Sequence, residues 1–208
     1  MPIRDFFLPD AKKRVAKSIE AIESETAAEI VVAVRRRSAH YRHVDIAVGS
    51  ALAFASLVAV IFLPQPFATE MIPVDVAVAF VIGLVVSANL PPLRRLLLSR
   101  RAATESVRTA ARAAFYEMGI ARTTGRTGVL VFVSMLERRV ELVTDDAVKP
   151  AELDARWREA VAAIEAAVRR ADLPGFLGAL GTVAAPLAVA LPVRDDDVDE
   201  LPNEPVIS

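Results

Sequence analysis

Charge disappears from this chain twice. No Lys, Arg, Asp or Glu falls between Ile46 and Thr69, or between Val76 and Leu93, whereas charged residues are dense elsewhere. The first apolar run, Ile46–Leu63, is closed by Pro64 and Pro66. The second, Val76–Leu93, is broken near its end by Asn89, Pro91 and Pro92. Eighteen residues at 1.5 Å each reach about 27 Å, and uncharged neighbours extend this to the roughly 30 Å of a hydrocarbon core. The pattern predicts a transmembrane helical hairpin over 44–93. Two buried helices in a soluble protein would need cover on every side, and the remaining chain is too small to supply it.

The flanks read differently. Lys12–Glu25 carries Val15, Ile19 and Ile22 at i, i+4, i+7 between charges, an amphipathic helix opened by Pro9-Asp10. Glu29–Val34 is a short β-branched run, expected as a strand buried on both faces. After the hairpin, Ala102–Met118 reads as an alanine-rich helix stopped by Gly119. Gly128–Met135 is a second apolar strand; Glu137-Arg138-Arg139 turns the chain into an amphipathic strand, Val140–Val143. Ala151–Arg170 places Leu153, Trp157, Val161, Ile164 and Val168 on one stripe, which makes Trp157 a packing anchor rather than a substrate platform. Leu173–Val193 is uncharged and is expected as a buried domain helix, punctuated by three glycines and Pro186, rather than as a third span.

Neither the first helix nor the first strand can bury itself, so the two flanks are expected to fold together. The expected fold is α/β, a mixed β-sheet sandwiched between helices, with the hairpin as an insertion. The expected divisions are 1–43 (first helix and strand), 44–93 (hairpin), 94–194 (remainder of the domain) and 195–208 (acidic tail).

Composition refines this picture. The chain is 54% hydrophobic and 25% charged with a net charge of −1. Six acids lie within Asp195–Glu204, leaving 25 bases against 20 acids before them. The bases gather beside the apolar runs: Arg35, Arg36, Arg37 and Arg42 before the first, Arg94, Arg95, Arg100 and Arg101 after the second. The link between the runs carries only Glu70 and Asp75. That asymmetry is membrane topology rather than nucleic-acid binding, and it places both long segments in the cytoplasm. The opening Met1-Pro-Ile-Arg-Asp lacks the regions of a signal peptide. Cysteine is absent, which excludes disulfides, thiol nucleophiles and thiolate metal sites. No ionisable residue sits at mid-hairpin, so a transport site has nothing to rest on.

Candidate chemistry is sparse. A hard cation such as Ca²⁺ or Mg²⁺ needs several oxygen ligands, usually loop carboxylates near strand ends. Asp145 and Asp146 follow a strand, and Asp195 and Asp197 belong to a second acidic cluster after the last helix; the four could converge on a metal. The other readings are a turn for the pair and a solvated acidic terminus for the tail. Thr123–Gly128 precedes a strand, whereas a phosphate loop follows one and carries GK[ST]. Thr26 and Glu29 suit a cap or turn. His40 and His43 suit a juxtamembrane position, and no nucleophile–base set assembles around them.

Thr26-x-x-Glu29-Ile-Val-Val, Phe115-x-x-x-Gly119-Ile, Thr124-x-x-x-Gly128-Val-Leu, Asp145-Asp146 and Glu200-Leu-Pro-Asn203 occur in that order. Together they resemble the TPM domain, named for thylakoid-lumen, photosystem II repair and nematode receptor-modulator proteins, and its bacterial branch with an internal hydrophobic hairpin. The match covers about residues 8–43 and 100–205. It implies an α/β sandwich with a central mixed sheet and a loosely defined role: acid phosphatase in some relatives, calcium binding in others. The acidic loop here reads Asp145-Asp146-Ala147, without the glycine of a tight metal loop. The leading expectation is a non-enzymatic binding or scaffold module at the bacterial inner membrane, engaging the bilayer and a protein partner and holding no certain cofactor. The second expectation is a divalent-metal-dependent phosphatase.

Overall fold

Strand β1 (Glu29–Arg35) is buried along both faces except at its last residue, as its apolar run requires. The computed structural model describes residues 2–62, 68–193 and 200–208. These form two compact units, one from 1–38 with 104–208 and one from 39–103.

In the first unit β1 pairs in parallel with β2 (Gly128–Ser134), Glu29 against Gly128 through Arg35 against Ser134. Strand β3 (Arg139–Thr144) pairs antiparallel on the far side of β2. A two-residue strand, β4 (Val206–Ile207), pairs in parallel with Ala33 and Val34, giving the order β3-β2-β1-β4. Helices cover both faces. On one, Ile30, Val32, Val34, Val129, Val131 and Val133 pack with α1 (Pro9–Glu23), α6 (Ala155–Arg170), α7 (Leu173–Gly181) and α8 (Ala184–Ala190). On the other, Val31, Ala33, Leu130 and Phe132 pack against Val107, Ala111, Ala114 and Phe115 of α5 (Arg100–Glu117). Period-two alternation along two strands thus feeds two cores, which is why neither strand can have a polar side. Each fully buried aliphatic or aromatic side chain contributes about 1.5–3 kcal/mol. Trp157 lies in the first core, on the helix capped by Asp154, whose carboxylate accepts the Arg156 and Trp157 N–H groups.

One expectation is corrected. Leu173–Val193 is not one helix but α7 and α8. Pro186 has no N–H to give to the Thr182 carbonyl, and its ring would clash there, so the helix breaks at Thr182-Val183. The far end of the tail, though exposed at Glu204, Val206 and Ser208, is tied to the sheet. The Ser208 N–H donates to the Val34 carbonyl at 3.0 Å, and the Arg36 N–H donates to Ser208 at 2.9 Å. Lys12 Nζ lies 2.6 Å from Glu204 Oε2 and, chiefly through that hydrogen bond, holds the Glu204 carboxyl below the usual carboxylate range.

The second unit contains α2 (Arg42–Phe62), α3 (Ile72–Asn89), α4 (Pro91–Leu97) and the first residues of α5. α2 and α3 run antiparallel and nearly touch: a Cβ on Gly83 would lie 2.7 Å from Gly49 Cα. At one end Asp45 accepts hydrogen bonds from Ser87 Oγ at 2.7 Å and from Arg94 Nε at 2.8 Å and NH2 at 2.6 Å. Both side chains of that ion pair are 13% exposed. Away from the seam the helices are apolar and bare, with Phe54 68% and Phe62 80% exposed. By length and composition α2, the Thr69–Asn89 segment and Leu173–Ala190 could each cross a membrane; 17%, 11% and 44% of their apolar windows are buried.

Gly128 starts β2 where a Cβ would meet Ile120 Cγ2 at 2.5 Å and its carbonyl oxygen at 2.9 Å. Gly128→Ala therefore forces the Ile120 turn away from the sheet and is expected to cost about 1–3 kcal/mol, as overpacking does. Chemical denaturation in detergent micelles should show the midpoint falling without loss of cooperativity.

Candidate functional site

One end of the sheet gathers Glu29, Thr124, Arg126, Asp145, Asp146 and Glu200. Glu29, Gly128 and the residue after β3, Asp145, stand in one row across three strands: Glu29 pairs with Gly128, and the Asp145 N–H donates to the Gly128 carbonyl at 2.9 Å. In-register positions share a face, and on that face Ile120 closes over Gly128 between the two carboxylates.

The structure brings Asp145 and Asp146 together, but around a guanidinium. Arg126 Nε lies 3.1 Å from Asp145 Oδ1, and its NH2 lies 2.6 Å from Asp146 Oδ2. Asp145 is buried and Asp146 is exposed. Asp145 Oδ1 also accepts the Asp146 N–H at 2.8 Å, whereas Oδ2 has no hydrogen-bond partner among the described residues. Arg126 takes up a left-handed backbone, φ 54°, uncommon for a residue with a side chain. The turn is held by its N–H to the Thr123 carbonyl and by the Ala147 N–H to its own carbonyl, both at 3.1 Å. The guanidinium proton is held more tightly than usual, first by the hydrogen bond to Asp146 and then by the charges of both aspartates. Arg126 thus supplies the positive charge that a divalent cation would bring to this pair. Sequence reasoning placed the acids but not this base; an arginine three residues into a Thr-Gly-rich turn gives no local signal of its partner.

Beside it, the Glu29 carboxylate accepts the Glu200 and Leu201 N–H groups at 3.3 and 3.2 Å. Glu200 in turn accepts the Thr124 N–H at 2.9 Å and its hydroxyl at 3.0 Å. Two acids separated by 171 residues therefore fasten the returning tail to the loop before β2. The expected cap or turn role fits Thr26, whose hydroxyl donates to the Leu191 carbonyl at 2.8 Å and accepts the Ala28 N–H. Glu29 instead reaches across the chain. A cleft of about 240 Å³ opens here, lined by Ala27, Glu29, Thr127, Ala147, Leu191 and Glu200 among others.

Asp195 and Asp197 lie outside the described residues, in the 194–199 segment. Among the described residues no group of three or more His, Asp or Glu is placed to hold a metal. His40 and His43 are exposed, and His43 meets the Tyr41 ring edge-on at 6.1 Å. Glu141 on β3 has its carboxyl pushed above the usual range, by burial first, against the opposing charges of Arg108 and Arg112. It belongs to the row under α5 rather than to the cleft.

No known family matches this chain, and neither does any curated protein. Among solved structures it is similar to the NMR structure of BA42 protein from the psychrophilic bacteria Bizionia argentinensis sp. nov., with a TM-score of 0.55 and 16% identity. The likeness covers 97% of this chain and 94% of that one. At that identity it speaks to the fold: a helix-rich α/β arrangement around a four-stranded mixed sheet.

The Arg126–Asp145 contact is expected to be coupled, because removing the base leaves a buried carboxylate without its counter-charge. Arg126→Ala should lower the unfolding midpoint in thermal scans. In the Asp145→Asn background the same change should lower it by clearly less, and an additive cycle would show that the contact is incidental.

Proposed function

We propose that this chain is a TPM-like module anchored in a bacterial inner membrane by a two-span hairpin, with its α/β unit and both termini cytoplasmic, and that it binds or scaffolds a protein partner there. The observation that carries the membrane part is the bare apolar surface of α2 and α3, continuous along two helices of spanning length. Water would penalise that surface at about 25 cal/mol per Å², whereas acyl chains accept it. The arginines flanking the two helices, against Glu70 and Asp75 in the link, favour cytoplasmic termini. Leu173–Ala190 is the less suited third candidate, since Leu173, Phe176, Leu180 and Leu187 belong to the core of unit 1.

The TPM-like reading rests on the ordered motifs, and five of their residues (Glu29, Thr124, Gly128, Asp145 and Glu200) meet at one end of the sheet. A binding role is favoured because these carboxylates are engaged: Arg126 holds Asp145 and Asp146, and backbone N–H groups occupy Glu29. Such acids shape a surface rather than perform chemistry. Fusing a reporter after Ser208 and inserting another in the 63–67 link should report opposite sides of the membrane. Both on the same side would overturn the topology.

The second reading is a divalent-metal-dependent phosphatase or calcium-binding domain using Asp145, Asp146, Asp195 and Asp197. One observation favours it: Oδ2 of the buried Asp145, unpartnered among the described residues, could ligate a cation if Arg126 swung out. Purified protein assayed against a phosphomonoester is expected to show no turnover that EDTA removes. Metal-dependent turnover abolished by Asp145→Ala with Asp146→Ala would replace the leading reading with this one.

A further inference from the structure

The short helix α4 has a composition that the hairpin itself does not require. Pro91 and Pro92 stop α3 from continuing, and the chain turns into Leu93-Arg94-Arg95-Leu96-Leu97. The Asp45–Arg94 ion pair ties this helix to the base of α2, and Ser87 on α3 donates to the same carboxylate. A bidentate guanidinium–carboxylate contact fixes the roll of the helix that carries it. With Arg94 turned toward Asp45, Leu93, Leu96 and Leu97 form an i, i+3, i+4 stripe elsewhere on the helix. Leu96 is 81% exposed, and Leu90 and Leu97 are exposed with it.

Basic residues cluster at the same end of the hairpin. Arg42 lies one helical turn before Asp45, Arg95 follows Arg94, and Arg101 is the second residue of α5, within the same unit. All three are exposed, and none makes an ion pair among the described residues. The opposite end of the helix pair carries Glu70 and Asp75 instead. An amphipathic helix of leucines and arginines, emerging where a span ends, has the pattern of an interfacial element: leucines reach the acyl boundary while arginines snorkel to phosphates.

We propose that α4 lies in the headgroup layer of the bilayer, with Arg42, Arg95 and Arg101 engaging acidic phospholipid headgroups and Leu96 and Leu97 seated below them. The occupant is the acidic lipid of that leaflet, because exposed guanidinium groups beside exposed leucines complement a phosphate above an acyl chain. This rests on the two-span reading, and the experiment separates the two.

The chain contains no cysteine, so Phe54→Cys and Leu96→Cys each accept a single spin label. The full chain is reconstituted into vesicles of phosphatidylcholine alone, or with a quarter phosphatidylglycerol. Label depth is read from its accessibility to oxygen against a water-soluble nickel chelate. The Phe54 label is expected deep in both vesicles, and the Leu96 label at headgroup depth where phosphatidylglycerol is present. It should shift toward water in pure phosphatidylcholine, and also when Arg95→Gln and Arg101→Gln are combined, since each arginine near an acidic surface is worth about a fivefold factor in partition. A deep Phe54 label with a water-exposed Leu96 label overturns this proposal and leaves the hairpin standing. Two water-exposed labels overturn the membrane reading and this proposal with it. A Leu96 label at headgroup depth regardless of lipid charge and of the arginine changes overturns the assignment of acidic lipid.

Discussion

Strand β1 has no polar side, and most of the architecture follows from that. Its even and odd residues feed separate cores, so it needs helices above and below and a partner strand on at least one edge. Only the chain after the hairpin provides β2, which lies roughly a hundred residues further along. Closing so long a loop adds little beyond closing a shorter one, since the cost grows only logarithmically with length. An antiparallel helix pair suits the intervening stretch, because it returns the chain to the end it left. The outer edge of β1 would still invite another strand, and this protein covers it partly with its own last residues.

The same economy governs the charges. Acids serve as fasteners: Glu29 holds the backbone of Glu200 and Leu201, Glu200 holds Thr124, and Asp145 holds Arg126. Each contact spans elements distant in sequence and satisfies a polar group near buried surface. The Asp45–Arg94 pair does comparable work inside the helical unit. At 13% exposure, losing either partner would leave a poorly solvated charge, which makes the contact costlier to break than a surface ion pair.

Much of this was legible in the residues alone. Periodicity determined α1, β1, α5, β2, β3 and α6 to within a few residues, because an element that buries one stripe or both faces must carry a matching repeat. Absence of charge marked the two long apolar helices for the same reason. Tertiary structure alone decided what depends on residues far apart in the chain. Pro186 breaks a helix that composition had suggested was single. Val206 and Ile207 become a strand because β1 has an unpaired edge there, not because two residues carry a pattern. Asp145 and Asp146 are visible as a pair in the sequence, but the guanidinium that the left-handed turn at Arg126 puts between them is not. Side-chain periodicity is local and is written in the sequence; which charge faces which is settled only when strands and loops are brought together.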